Sequence, residues 1–480
     1  MSLTYPSRRD VLRLGTAAAV ASLSPFGWTF GQAEYDVVIL NGRVIDPETK
    51  LDDIRHLGIK DGVIKAVSKK ELRGKKTIDA RGLVVAPGFI DPISHGQNLE
   101  NDRVQIFDGV TTKLQLESGV RDQGDWRKAQ VGNRIANYGA GCGHGYARTA
   151  VLGAKNGDVV ATDAQIEQMT HVIDAQLRQG ALAVGFGLEY TPITRRWEVI
   201  EMFRMAGENH ASCHVHTRYG TLMEEQSNLT AIEEVLACAV VAGAPLHIVH
   251  VPSMALGMTD KALEFISRAQ GRGLDVTADC YPYPAFGTGI DSEVFAPGWQ
   301  QRFGIDYGDL EWAATHERLT AETFEKYRKQ GGMVIAHAIP EEAVRAAVKS
   351  PATMIGSDGS LEKGVGHPRS AGTFARVLGK YVREEKLLSL PEAIEKMSLK
   401  AARRLEKRCT AFRSKGRLQV GSDADVVVFD PGTVGDRATF SAPAVPSVGF
   451  HWVLVNGVPV IDEGQLNEQV RPGKGLSAGR

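Results

Sequence analysis

Five groups able to hold a metal or move a proton recur at one kind of position, the downstream end of a short apolar run. The runs Leu83–Asp91, Gly109–Glu117, Ala211–His216, Leu246–His250 and Ala352–Asp358 lead to His95, Glu117, His216, His250 and Asp358. Imidazoles and carboxylates converging from separate strand ends are the usual donors to a divalent ion, zinc foremost. A single such His is more often an ordinary hydrogen-bonded residue, but five groups at five strand ends are hard to produce by chance. Three protein ligands leave a position open for water, whose pKa then falls toward neutrality. Asp358 at the rim can take the water's proton and return it to a departing amine. Both transfers are what amide hydrolysis requires. His95 is placed either to donate a hydrogen bond to the developing oxyanion or to hold a weak second metal. Arg369 offers a planar fork suited to a carboxylate, against the plainer reading of a surface ion pair. His144, in Gly143-His144-Gly145, falls at the same rim, as a substrate contact or a loop hydrogen bond.

Two further histidines are set aside. Period-two alternation puts His214 and His216 on one strand face, with His216 nearer the rim and His214 deeper. His247 and His250 lie three apart and cannot share a face of a regular strand, so His250 is the rim candidate and His247 structural.

These groups need a frame. Further apolar runs at Ile135–Cys142, Ala181–Phe186 and Leu274–Asp279 bring the strand count to eight. Helical patterns follow them at Asp163–Gln179, Arg195–Glu208, Ala231–Ala242, Asp260–Arg272, Pro368–Glu385 and Pro391–Leu405. Eight βα units predict a (β/α)8 TIM-like barrel with its site at the C-terminal strand ends. The connection between Cys280 and Pro351 is far longer than a loop and carries helical pieces (Thr320–Gln330, Pro340–Lys349), as a lid or subdomain would. Asn41-Gly42 and Asn456-Gly457 each sit between β-branched runs, the strongest short hairpin signal. With the strand Asp425–Asp430, they predict a small β-sandwich domain built from both chain ends. The expected division is residues 34–84 with 412–465 for that domain, 85–411 for the barrel with an insertion over 281–351, and a tail over 466–480.

Composition narrows the function. Of 480 residues, 43% are hydrophobic and 24% charged, and 56 basic residues against 57 acidic leave a net charge of −1. No basic excess exists for nucleic acid. Five cysteines without paired spacing argue against a disulfide scaffold. Ser7-Arg8-Arg9-Asp10, a weakly apolar Leu14–Phe26 and the small residue Ala33 read as a twin-arginine export signal over residues 1–33. Periplasmic or secreted localisation is therefore expected, without stable membrane insertion after processing; homo-oligomerisation stays open.

Several motifs go further. Ala86-Pro-Gly-Phe-Ile-Asp91, Asp108-Gly-Val-Thr-Thr112, His216-Thr-Arg218, Ala278-Asp-Cys-Tyr-Pro-Tyr283, Ile355-Gly-Ser-Asp-Gly359 and Gly366-His-Pro-Arg-Ser-Ala-Gly-Thr-Phe374 resemble the amidohydrolase superfamily, and within it the N-acyl-D-amino-acid deacylases (D-aminoacylase-like proteins). The resemblance implies metal ligation by Glu117, His216 and His250, acid–base catalysis by Asp358, and a substrate carboxylate gripped by Tyr190 and Arg369. Three positions depart from it. Ile93 replaces the first His of His-x-His, Glu117-Ser118 stands where many relatives have Asn-Cys, and Pro252 replaces a Lys. Ile93 removes a ligand of the outer metal position, so one divalent zinc-like ion is expected and a binuclear centre is not. The expected activity is hydrolysis of a linear N-acyl-amino acid, a small substrate with a free carboxylate. The alternatives are a cyclic amidase of dihydroorotase or hydantoinase type, and a barrel that binds without catalysis.

Overall fold

The computed structural model describes residues 34–153, 157–223 and 225–479. The expected export signal, Arg8-Arg9 and the cleavage point after Ala33 included, lies outside the described residues.

The N-terminal strands β1 (Tyr35–Asp46), β2 (Leu51–Lys60), β3 (Val63–Ser68), β4 (Gly74–Asp79) and β5 (Val84–Pro87) belong to the small domain. The barrel strands β6 (Phe89–Asp91), β7 (Val110–Val120), β8 (Asn137–Gly143), β9 (Ala183–Gly187), β10 (Ser212–His216), β11 (Leu246–Ile248) and β12 (Val276–Cys280) follow. An insertion then supplies β13 (Phe286–Gly289), β14 (Leu310–Trp312), β15 (Glu317–Arg318) and β16 (Met333–Ala336) before the eighth barrel strand, β17 (Thr353–Ile355). A hairpin, β18 (Leu361–Glu362) and β19 (Val365–Gly366), precedes β20 (Val426–Phe429), β21 (Phe450–Val455), β22 (Val458–Asp462) and β23 (Gln465–Leu466) of the small domain.

Strands β6 to β12 and β17 pair in parallel, each with its neighbour in the sequence of barrel strands. The two ends of that sheet meet where the amide of Asp358 donates to the Ile93 carbonyl (2.8 Å) and that of His95 to Gly359 (3.0 Å). Alternation along β10 explains its mixed composition. Cys213 and Val215 pack with Met202, Phe203, Ile232 and Val235 of the flanking helices. His214 meets His247 inside the barrel, ring centroids 4.6 Å apart.

β20–β23 join β5, β1, β2 and β3 in one nine-stranded sheet, with β4 also on β1. It folds over Val37, Ile39, Leu57, Ile59, Val85, Val426 and Leu454. Two local expectations need correction. The run Leu83–Asp91 is two strands, one in each sheet, broken at Gly88. Asn41-Gly42 is not a hairpin turn: β1 passes through it, and the register slips between Ile39 and Gly42. Asn41, at φ 62°, is the extra residue of a bulge. Asn456-Gly457 does turn, with Val455 paired to Val458 and both turn residues at positive φ.

The insertion forms an antiparallel sheet in the order β13-β16-β14-β15, cored by Phe295, Trp299, Phe303 and Phe324. The helix Glu341–Lys349 lies against the barrel instead, burying Ala343, Val344, Ala347 and Val348, so the cover ends before it. The tail seals the opposite end of the barrel: Leu476 bonds Tyr138 (2.7 Å) and packs with Leu114, Leu116 and Leu182. All five cysteines are buried and unpaired. Among the described residues, no helix is long and apolar enough to cross a membrane.

Candidate active site

Glu117 reaches the barrel mouth through an irregularity in β7. Gln115 pairs with Ala140 and Val120 with Cys142, so five steps along β7 match two along β8. The surplus chain bulges toward its neighbours, and glycines make the room. A β-carbon on Gly185 would fall 1.8 Å from the Glu117 carbonyl oxygen, and one on Gly143 2.1 Å from that of Ser118. Only hydrogen fits there.

His216 ends β10, and its Nδ1 lies 3.2 Å from Glu117 Oε1. His250 follows β11 in a left-handed conformation, φ 33°, rare for a non-glycine and characteristic of functional sites. That turn aims Nε2 at the same Glu117 oxygen, 3.3 Å away. The other imidazole nitrogens are engaged: His216 Nε2 with Glu189 Oε2 (3.0 Å), and His250 Nδ1 with Ser253 Oγ (2.8 Å). Partners on the outer nitrogen orient metal-ligating histidines. One donor atom each from Glu117, His216 and His250 lies within 4.8 Å of the others, as does one each from His95, Glu117 and Asp358. Glu117 Oε2 is buried without a well-directed hydrogen bond, its one cationic neighbour being His95 Nε2 at 3.1 Å. A carboxylate oxygen so placed costs free energy unless a cation meets it, so the donor set fits a divalent ion.

Asp358 also holds a left-handed backbone, φ 50°. Its Oδ1 contacts His95 Nε2 (2.9 Å) and its Oδ2 Arg369 Nη1 (2.9 Å). Arg369 is 4% exposed and lies over the Tyr281 ring. Its Nη2 donates to the Gly287 carbonyl (3.1 Å), while Nε and Nη1 have no hydrogen-bond partner of good geometry. Tyr190 stands across the cavity, its hydroxyl 3.0 Å from Thr288 Oγ1 and its ring 4.8 Å from that of His216. The cavity holds about 300 Å³ and is completed by Met254, Phe286, Val294, Phe303, Met333 and His367.

Charge is concentrated here. Burial raises the cost of ionising Glu117, but His250, His216 and His95 outweigh it and hold its carboxyl well below the ordinary range. Burial likewise opposes a charge on His95, yet Asp358 and Glu117 push it up to about 10. His216 rises to about 9 against the same burial, through Glu117 and Glu189. Asp358, partly buried, is lowered by Arg369 and His95 against the cost of its own desolvation. A divalent ion held by these residues would compete with protons for the same carboxylates and imidazoles.

The structure thus brings together His95, Glu117, Tyr190, His216, His250, Asp358 and Arg369. It does not bring His144. That side chain is 1% exposed, stacked on Phe186 and bonded to Glu198 (2.7 Å), which also pairs with Arg148. Its expected substrate contact is withdrawn, because the helix His144–Leu152 begins at that residue and carries the ring away from the mouth. His214 and His247 are buried below the site. His214 bonds Ser212, and His247 bonds Thr277 and Asp279, whose other oxygen takes the His250 amide (2.6 Å). Sequence reasoning overlooked Glu189, Ser253 and His367. Glu189 had a signal, an acid one place before Tyr190 in the loop after β9; Ser253 had none.

A parallel barrel that gathers two histidines and a carboxylate at its mouth, beside an aspartate held between a histidine and an arginine, is the framework of metal-dependent hydrolases. The amidohydrolase family model matches residues 76–149 and 140–461. The N-acyl-D-glutamate deacylase of Alcaligenes xylosoxydans xylosoxydans is 29% identical over 92% of this chain and 96% of its own. The D-aminoacylase of the same organism is 30% identical over 89% and 95%. The crystal structure of N-acyl-D-glutamate deacylase from Bordetella bronchiseptica, complexed with zinc and a phosphonate inhibitor that mimics the tetrahedral intermediate, superposes with a TM-score of 0.80 at 28% identity, covering 92% of this chain and all of that one. The chain belongs to the amidohydrolase family, in its D-aminoacylase-like group, and is a metal-dependent amidohydrolase.

Proposed function

We propose that the protein hydrolyses the linear amide of an N-acyl-D-amino acid to a carboxylic acid and a free amino acid, using one zinc ion held by Glu117, His216 and His250. The observation that carries this reading is Arg369, a buried guanidinium whose Nε has no hydrogen-bond partner and whose Nη1 contacts the Asp358 carboxylate (2.9 Å), in the same cavity of about 300 Å³ as that donor set. A guanidinium so placed selects a substrate with a carboxylate near the scissile bond. Once bound, the ion acidifies water and polarises the amide carbonyl.

The chain's own residues do the rest. Arg369 and Tyr190 receive the carboxylate, which fixes the amide relative to Asp358. Asp358 takes the proton of the attacking water and delivers it to the amine nitrogen, since an amine leaves poorly as its anion. Arg369 and His95, both against Asp358, keep it ionised before that step. The insertion covers the mouth with Phe286, Val294 and Phe303 and limits water. Ile93, fully buried where the family's first imidazole would stand, supports a single ion. No lysine lines the cavity among the described residues, which speaks against a cyclic amidase with a bridging lysine.

The test is turnover of N-acetyl-D- and N-acetyl-L-amino acids by protein reconstituted with one equivalent of zinc, beside elemental analysis. Hydrolysis with one tightly held ion supports the reading. Two stoichiometric ions refute the mononuclear centre, and a metal-loaded protein inert on every N-acyl amino acid refutes the activity. Export through the twin-arginine route is proposed from Arg8-Arg9; replacing both with lysine should hold the precursor in the cytoplasm, and export that persists overturns it.

A further inference from the structure

Relatives named for an acidic and for an unspecified D-amino acid are about equally similar to this chain, at 29% and 30% identity, so similarity does not choose the side chain. The cavity does. Resting on the deacylase reading above, we propose that the substrate's side chain is uncharged and apolar, and that it lies against the insertion's wall of Phe286, Phe303 and Met333.

The first argument is position. The α-carbon of an N-acyl amino acid carries both the carboxylate and the side chain, so a carboxylate on Arg369 puts the side chain within a few ångströms of that guanidinium. Arg369 is tied to the Gly287 carbonyl. Met333 and His367 back that glycine: a β-carbon at Gly287 would lie 3.7 Å from Met333 Sδ and from His367 Cδ2. Phe286, beside Gly287 on β13, packs edge-on against Phe303, ring centroids 5.7 Å apart. The surface next to the carboxylate position is therefore thioether, benzene ring and the carbon edge of the His367 imidazole, well matched to an aliphatic or thioether side chain. Met254 belongs to the opposite wall, its Cε 3.4 Å from where a Gly220 β-carbon would stand beside Glu189. That leaves it to the acyl side of the amide.

The second argument is charge. Glu117, Glu189 and Asp358 line the cavity against one permanent cation, Arg369. A divalent ion and Arg369 together offset these three carboxylates, and the His95 imidazole is already committed to Asp358 (2.9 Å) and Glu117 (3.1 Å). The α-carboxylate adds one negative charge, and a second carboxylate would meet no counter-charge. His367 cannot supply one, because its Nε2 donates to the Ala285 carbonyl (3.1 Å) and its Nδ1 accepts from the Arg369 amide (3.0 Å). Thr288 is engaged with Tyr190. A buried carboxylate without partners is heavily disfavoured.

The test compares kcat/KM of the zinc-reconstituted protein for N-acetyl-D-methionine and N-acetyl-D-glutamate, in the natural chain and in Met333→Lys. Met333 is partly exposed at the start of β16, so a lysine there can reach solvent without unfolding the strand. The natural chain should favour methionine by roughly 100-fold or more, as sites do that leave a polar group unpaired. Met333→Lys should narrow that ratio by about tenfold, mainly through KM for the glutamate substrate. A natural chain that prefers glutamate, or treats both alike, overturns this inference and leaves the deacylase reading standing. A ratio unchanged in folded Met333→Lys removes Met333 from the side-chain subsite and overturns the assigned wall. No turnover of any N-acyl amino acid overturns the deacylase reading, and this inference with it.

Discussion

Replacing Asp358 with asparagine tests the proton-transfer step most directly. Asparagine is nearly isosteric and tolerates the left-handed φ of 50° that this position holds. It retains an oxygen toward Arg369 but lacks the charge, so the 2.9 Å contact to Nη1 weakens rather than vanishes. Arg369 keeps the Gly287 carbonyl, and the expected loss of stability is about 1–2 kcal/mol, the scale of the one charge-assisted hydrogen bond that Asp358 Oδ1 shares with His95 (2.9 Å). Activity should suffer far more. An amide cannot accept the water's proton or protonate the leaving amine, and such groups contribute roughly 10²–10⁴-fold, or about 3–5 kcal/mol of barrier. The ligands Glu117, His216 and His250 are untouched, so the variant should bind one ion and melt cooperatively. Steady-state kcat, elemental analysis and thermal melting on one preparation separate these effects. A folded, fully loaded Asp358→Asn with kcat within about tenfold of the natural protein would refute the assignment.

Arg369→Lys should raise KM for acid substrates and also lower kcat, because the guanidinium both receives the carboxylate and contacts Asp358; a change confined to KM on a matched acid and amide pair would show that the Asp358 contact is idle. Gly185→Ala should weaken metal binding by roughly 10–100-fold while the barrel persists, since its β-carbon would displace the backbone of Glu117; unchanged metal content and affinity would refute the role given to the β7 bulge. Metal affinity should rise with pH. His95 and His216, raised to about 10 and 9 in the metal-free chain, contribute stability that is full below their unfolded pKa near 6.5 and is lost as pH climbs through 9 and 10. A cation must displace protons from this pocket, so chelator competition should give tighter binding at pH 8 than at pH 7, and a flat profile would contradict it.

The barrel and its polar strand ends were legible in the sequence because they follow from periodicity. Short apolar runs, buried on the helix side and alternating with inward polar residues, define β10 and its neighbours whatever surrounds them, and the turn chemistry of Asn456-Gly457 was read correctly. The same chemistry misplaced Asn41-Gly42. A left-handed asparagine serves a bulge as well as a hairpin, and only the pairing of β1 with β2 decides between them. Tertiary structure alone settled which polar residues meet. The surplus residues in β7 that present Glu117, the left-handed turns at His250 and Asp358, and the bond that ties His144 to Glu198 are set by neighbouring strands and helices distant in sequence. Local sequence fixes the type of each element through short-range sterics and burial. The site, by contrast, arises from contacts such as Glu117 with His250 and His95 with Asp358, whose partners lie 133 and 263 residues apart. No local periodicity encodes those distances, because closing such loops is driven by packing of the whole barrel.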